Sequence, residues 1–188
     1  MRYYRLNDDV NLENRWFLKS LNLVDEKKIS VWEFTKPAKI VLPENEEIEI
    51  GIREDGLPLD FTFADFSVLI INEKVAAILP EDECQLLPLK IKGVKNKHIY
   101  FIAIIQKSID CLDEKRSVFE KWKDDDPIRP DLAGQYKGIY KLFVDSNKIS
   151  KTKIFRLGKS TNMIIVNEDI KKACELNKIS GITFQDVT

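Results

Sequence analysis

The stretch "NMIIVNEDIKKACELNKISGITF", residues 162–184, decides the fold class, because three elements read from it in order. The short apolar run "NMIIV" reads as a strand. Asn167 is placed to cap a helix through "EDIKKACELN", with Glu168 and Asp169 in the first turn, where the helix dipole favours anions. Ile170, Ala173, Cys174 and Asn177 fall on an i, i+3, i+4, i+7 stripe, with Leu176 beside it. Gly181 follows the helix, and "ITF" is a last strand.

Working outward, "HIYFIAIIQ" (98–106) is apolar at nearly every position and too short for an ordinary core helix, which predicts a central strand buried on both faces. "QLLPLKIKG" before it predicts a strand ending in a turn around Gly93 to Lys97, with Pro88 placing it at an edge or a bulge. "EIEIGI" alternates Ile48, Ile50 and Ile52 against Glu47, Glu49 and Gly51, a strand with one wet face. "DFSVLIINEKVAAIL" predicts a strand running into a short helix capped by Asn72, and "IYKLFVD" and "KIFRL" predict further strands. Turns punctuate the N-terminal half at "TKPAK", "LPENEE", "REDGLPLD" and "LPEDE". The expected architecture is α+β: a mixed, largely antiparallel sheet with a few short helices, including the C-terminal strand–helix–strand unit. The chain length suits one domain over residues 1–188.

Composition narrows the function classes. Hydrophobic residues make up 44% and charged residues 32%, which suits a globular domain with a core rather than a disordered chain. Thirty basic residues face 31 acidic ones, a net charge of −1, so the basic excess typical of nucleic-acid binders is missing. The start, "MRYYRLNDDVNLENRW", has no apolar run long enough for a signal-peptide core, the longest runs, "VLII" and "IYFIAII", fall far short of a membrane span, and Cys84, Cys111 and Cys174 are odd in number and scattered. A reducing cytoplasm is the simple expectation, with no membrane, nucleic acid or cofactor.

The densest chemistry lies in "SIDCLDEKRSVFEKW" (108–122), where Asp110, Cys111, Asp113, Glu114, Arg116 and Ser117 crowd together. Read as an active site, Cys111 is a nucleophile in need of a base, and His98 is the sole histidine. A strand separates the two by roughly 25–30 Å. Asp110 with Asp113 or Glu114 could still do acid–base work. Read as structure, Asp110 or Asp113 accepts backbone amides, Arg116 pairs with a carboxylate and Cys111 packs as a small hydrophobe. "LGKST" (157–161) has Lys153 where a phosphate loop needs glycine, and reads as a β-turn. Asp124, Asp125 and Asp126 in "KDDDP" lack the spacing of a calcium loop and read as a solvated acidic loop, or as a surface for a basic partner, as do "ENEEIE" and "EDE". Trp16, Trp32 and Trp122 are either core residues or interface anchors.

At these residues the chain resembles a known family, the immunity proteins of bacterial polymorphic-toxin systems numbered eleven, formerly a domain of unknown function. The resemblance runs through "YYRLNDDV", "RW", "GLPLDF", "QLLPLKIKG", "IDCLDEKRS", "FRL", "IIVNEDIKKA" and "GITFQDV". "GKSTN" departs from it, since similar proteins more often carry a bulky or aromatic residue there. The resemblance implies a non-enzymatic protein without a cofactor, which binds and neutralises a cognate toxin encoded beside it. It also makes Asp110, Cys111, Asp113, Arg116 and Ser117 a family signature, expected to fix a strand-to-helix junction. The alternatives are a small enzyme using that cluster, or an interaction module outside toxin biology that uses the acidic loops.

Overall fold

The fold is taken from a computed structural model that describes residues 1–23, 31–42, 47–65, 67–93, 98–160 and 162–188. In chain order the strands are β1 (Tyr3–Asp8), β2 (Phe17–Leu18), β3 (Asn22–Leu23), β4 (Ile48–Ile50), β5 (Ile52–Glu54), β6 (Phe61–Ala64), β7 (Val68–Asn72), β8 (Cys84–Ile91), β9 (Tyr100–Ile105), β10 (Ser108–Ile109), β11 (Val118–Lys121), β12 (Tyr136–Lys141), β13 (Ile154–Leu157), β14 (Ile164–Asn167) and β15 (Ile182–Asp186). Helix α1 (Glu73–Ala76) follows β7, and α2 (Glu168–Leu176) joins β14 to β15. One sheet has the order β3-β4-β8-β9-β7-β6 and a second β10-β13-β14-β1-β15, while β2 pairs with β5 and β11 with β12. The β4–β8 and β10–β13 pairs are parallel, and the other ladders are antiparallel. This is the mixed, largely antiparallel α+β architecture that the sequence predicts.

Strand alternation explains the layering. Tyr100, Ile102 and Ile104 of β9 face a cluster with Trp16, Phe34, Ile48, Ile50 and Ile70 on the outer side of the six-stranded sheet. Ala103 and Ile105, at the alternate positions, face inward. Likewise Ile164 and Val166 of β14 face inward, whereas Met163 and Ile165 face an outer cluster with Tyr3, Cys111, Leu142, Phe155 and Val187. The inward faces meet in one apolar layer. Tyr4 and Leu6 of β1, Ile154 of β13 and Ile170 and Cys174 of α2 pack there with Phe61 of β6 and Leu69 and Ile71 of β7. Because β9 lies between β8 and β7 and buries both faces, it is all but uniformly apolar.

The rim of that layer is closed by buried polar groups whose partners lie in both sheets. Glu83, just before β8, accepts the amides of Lys153 and Ile154 at 2.9 Å each through one carboxylate oxygen, and Lys107 at 2.9 Å through the other. Asp60, just before β6, accepts the amide and hydroxyl of Ser180 at 2.9 and 3.0 Å, and the Asn72 amide at 2.7 Å. Arg15 forks onto both oxygens of Asp8 in β1 at 2.9 and 3.0 Å, and also donates to the Asp9 carbonyl, to Thr62 of β6 and to the Trp16 carbonyl. Each of its five N–H donors therefore has an acceptor, the condition under which a buried guanidinium is tolerated. Arg156 of β13, fully buried, donates to the Ser67 carbonyl at 3.1 Å. Gly181 closes the same seam. Its φ is +84°, and a Cβ there would stand 2.2 Å from the Phe61 carbonyl oxygen.

Local readings fare unequally. Asn167 caps α2 by accepting the Ile170 amide, and Asn72 caps α1 through Lys74 and Val75. Ile170 and Cys174 are buried, but Leu176 is 84% exposed. "EIEIGI" is not one strand with a wet face. It breaks at Gly51 into β4 and β5, which belong to different ladders, and Glu49 is buried beneath Lys90 and Lys92. Pro88 lies in an interior strand without a recorded bulge, yet β4 reaches β8 only from Leu89 onward. At Pro88 the strand is therefore locally an edge, so the missing N–H costs no ladder bond. "IYKLFVD" holds strand structure only to Lys141, beyond which Val144 forms an isolated bridge to Leu112. The turns expected at 42–47 and 93–97 fall largely outside the described residues.

The seam makes two predictions. Glu83→Ala leaves two buried amides without an acceptor and costs about 3 kcal/mol, a fall in Tm of roughly 6–12 °C. Glu83→Gln keeps one acceptor oxygen and costs less, and equal losses in the two variants would contradict this account. Burial alone would raise the Asp60 carboxyl, but hydrogen bonds from Ser180, Asn72 and Lys74 outweigh it and hold the group below the usual aspartate range. Its stabilisation is present above the ordinary value of about 4 and is lost as pH falls through the folded value. Asp60→Asn should therefore lower Tm at pH 7 and flatten its fall below about pH 4; an unchanged acid slope would contradict it.

Candidate functional site

The segment after β9 contains no helix. Short strand β10 leads through Asp110, Cys111 and Leu112 into a tight turn at Asp113–Arg116, and β11 begins at Val118. The expected strand-to-helix junction is thus a strand–turn–strand junction. Asp113 explains the turn: its carboxylate accepts the amides of Lys115 at 3.0 Å and Arg116 at 3.3 Å, satisfying them locally. The same carboxylate takes Arg116 Nε at 2.7 Å, and this pairing holds it below the usual aspartate range.

Arg116 and Ser117 grip the 143–144 segment, and Asp110 the turn after β13. Arg116 donates to the Val144 carbonyl at 3.3 Å, and its guanidinium lies 4.7 Å from the Phe143 ring centroid. Ser117 both donates to the Phe143 carbonyl at 3.2 Å and accepts its amide at 3.0 Å. Asp110 pairs with Lys159, and Glu114 accepts from Lys121 and Tyr136. Cys111 is fully buried beside Phe155 and Leu157, its carbonyl accepting the Asp145 amide at 2.8 Å. Burial, with Asp110 nearby, pushes its thiol up to about 12, so it stays protonated near neutral pH. Cys84 and Cys174 are likewise buried, with thiols pushed up to about 12 and about 11.

The other sequence-derived candidates separate. His98, before β9, meets Glu73 of α1 at 2.7 Å, while Cys111 follows the far end of that strand. In "LGKST", β13 runs to Leu157 and a Cβ on Gly158 would stand 2.7 Å from the Asp110 amide nitrogen. That glycine serves close backbone packing. Asp126 accepts the amides of Ile128 and Arg129 and so holds its own loop, whereas Asp124 and Asp125 are exposed and make no hydrogen bond or ion pair among the described residues. No three His, Cys, Asp or Glu side chains are grouped to hold a metal among the described residues. Trp16 is core, Trp32 is 68% exposed and Trp122 lies 5.1 Å from the Lys137 ammonium. No described helix is long and apolar enough to cross a membrane.

Sequence reasoning misses a cleft of about 570 Å³ whose lining comes mainly from β1, β2 and β6. Arg5, Lys19 and Arg53 line it together with Asp8, Asp65 and Phe17. Arg15 assembles one wall, since its fork to Asp8 and Thr62 sets β1 against β6 while its guanidinium lies 4.6 Å from the Phe17 centroid. Arg53 lies 5.3 Å from the same ring. Arg5 and Asp8 fall within "YYRLNDDV" and Arg15 within "RW", but nothing local joins them to Phe17, Lys19 or Arg53, because these residues converge only through tertiary pairing.

No curated protein matches the chain. A family model described as Immunity protein family (Imm11) matches residues 52–188, which include "IDCLDEKRS" and the β14–α2–β15 unit, while "YYRLNDDV" and "RW" precede the match. With well over half of its length matched, the chain belongs to this family of immunity proteins.

Proposed function

We propose that this chain is a non-catalytic, cytoplasmic immunity protein that binds and neutralises one cognate bacterial toxin, encoded by a neighbouring gene, and that residues 1–188 act as a single domain. Family membership carries the reading. Neutralisation by binding needs a stable surface and no reactive group, and a standard interface buries about 1,200–2,000 Å² in total. The chemistry of the cluster agrees. The Cys111 thiol is buried and held protonated, while Asp113, Arg116 and Ser117 spend their hydrogen bonds on the turn and on residues 143 and 144. These residues act on the fold, and exposed Asp124 and Asp125 are offered to the partner as an acidic patch.

Co-expression with the neighbouring toxin is the direct test. The full chain should rescue growth and co-purify with the toxin; no rescue and no binding at micromolar concentration would overturn the proposal. Cys111→Ala should protect as well as the parent, whereas lost protection with retained binding would point to catalysis. Ser117→Ala removes both bonds to Phe143 and should cost about 1–2 kcal/mol. A native Tm in both Ser117→Ala and Arg116→Ala would contradict the structural role. Reversing Asp124 and Asp125 to lysine should slow association with the toxin, with a reduced salt dependence.

A further inference from the structure

We propose that the cleft between β1, β2 and β6 receives a carboxylate of the partner protein, an aspartate or glutamate side chain on an exposed segment of it. The inference rests on the reading of this chain as a toxin binder and deepens it. Three cations line the cleft, Arg5, Lys19 and Arg53, against two carboxylates. Both carboxylates are already committed: Asp8 receives the bidentate fork of Arg15, and Asp65 accepts the Leu21 amide at 3.1 Å. Arg53 pairs with exposed Glu54. The side chains of Arg5 and Lys19 make no hydrogen bond or ion pair among the described residues, so their charge faces the cleft uncompensated.

Arg5 is half-buried, and loss of solvation pulls its guanidinium below its usual value. A cation partly withdrawn from water and lacking an acceptor gains more from an incoming anion than a fully solvated one does. The Arg53 guanidinium lies over the Phe17 ring, 5.3 Å from its centroid, so the cleft combines two forked donors with a point charge at Lys19. The anion is a single carboxylate rather than a phosphate chain, because a polyanion would also run against Asp8 and Asp65.

The test titrates the full chain by calorimetry with a short peptide, blocked at both ends, that carries one glutamate. The account expects saturable binding that weakens with salt, falls about tenfold in Arg5→Gln/Lys19→Gln, and is unchanged in Lys123→Gln, which lies outside the cleft. Lys19→Glu alone, at an exposed side chain, should weaken binding several-fold and keeps the test open if the double variant fails to fold. Absent binding at millimolar peptide, full binding by a folded double variant, or equally tight binding of inorganic phosphate each overturns the inference. Toxin neutralisation separates the two claims. If the parent chain protects and both cleft variants protect equally, the cleft assignment falls alone. If the parent chain does not protect, the toxin reading falls, while the peptide titration still reads the cleft.

Discussion

The two sheets face each other across one apolar layer, and the groups that close its rim are buried, charged and shared between both sheets. Such groups are costly to bury unless every hydrogen-bonding site is met, so they fix geometry more sharply than apolar contact does. Glu83 can take two consecutive amides of Lys153 and Ile154 in only one register of β13 against the six-stranded sheet. Asp60 sets the C-terminal loop at Ser180 against β6, and Arg15 sets β1 against the same strand. The motif and the cleft both follow from these ties. Strand β13 carries β10 and Gly158, against which Asp110 packs, and Arg15 places Phe17 beside β1.

What the sequence makes legible is what local physics decides. The β14–α2–β15 unit reads correctly because a cap, a dipole-facing acidic pair and a helical stripe coincide within twenty-odd residues. Strand β9 reads correctly because a strand covered on both faces has no reason to be polar. The failures are tertiary. Residues 3–8 carry no strand signature that stands out, yet β1 pairs with both β14 and β15 in the middle of a sheet. "EIEIGI" has a clean period of two, but Gly51 lets the chain leave one ladder for another. Pro88 reads as an edge marker and sits in an interior strand, because its neighbour is shorter than the strand it pairs with. After Ile109 a strand-to-helix junction is expected, whereas Asp113 closes a turn that returns as β11.

The motif shows why residue types alone misjudge a site. Aspartate, cysteine, arginine and serine in close order satisfy the inventory of a catalytic centre. Their geometry spends each of them on a neighbouring backbone group, ring or opposite charge. Arg5 and Lys19, whose side chains make no hydrogen bond or ion pair among the described residues, sit outside that motif. The family match begins at residue 52, so it covers the motif, β6 and Arg53, while β1 and β2 bring Arg5, Phe17 and Lys19 to the cleft from outside it.

Native-state hydrogen exchange across the described strands tests the central claim, that the buried polar seam makes the two sheets one cooperative unit. Amides of β9 and β14 should share the slowest exchange and the same opening free energy, equal to that of global unfolding. Exchange of β14 and β15 through a separate, lower-energy opening, with β9 still protected, would contradict the claim.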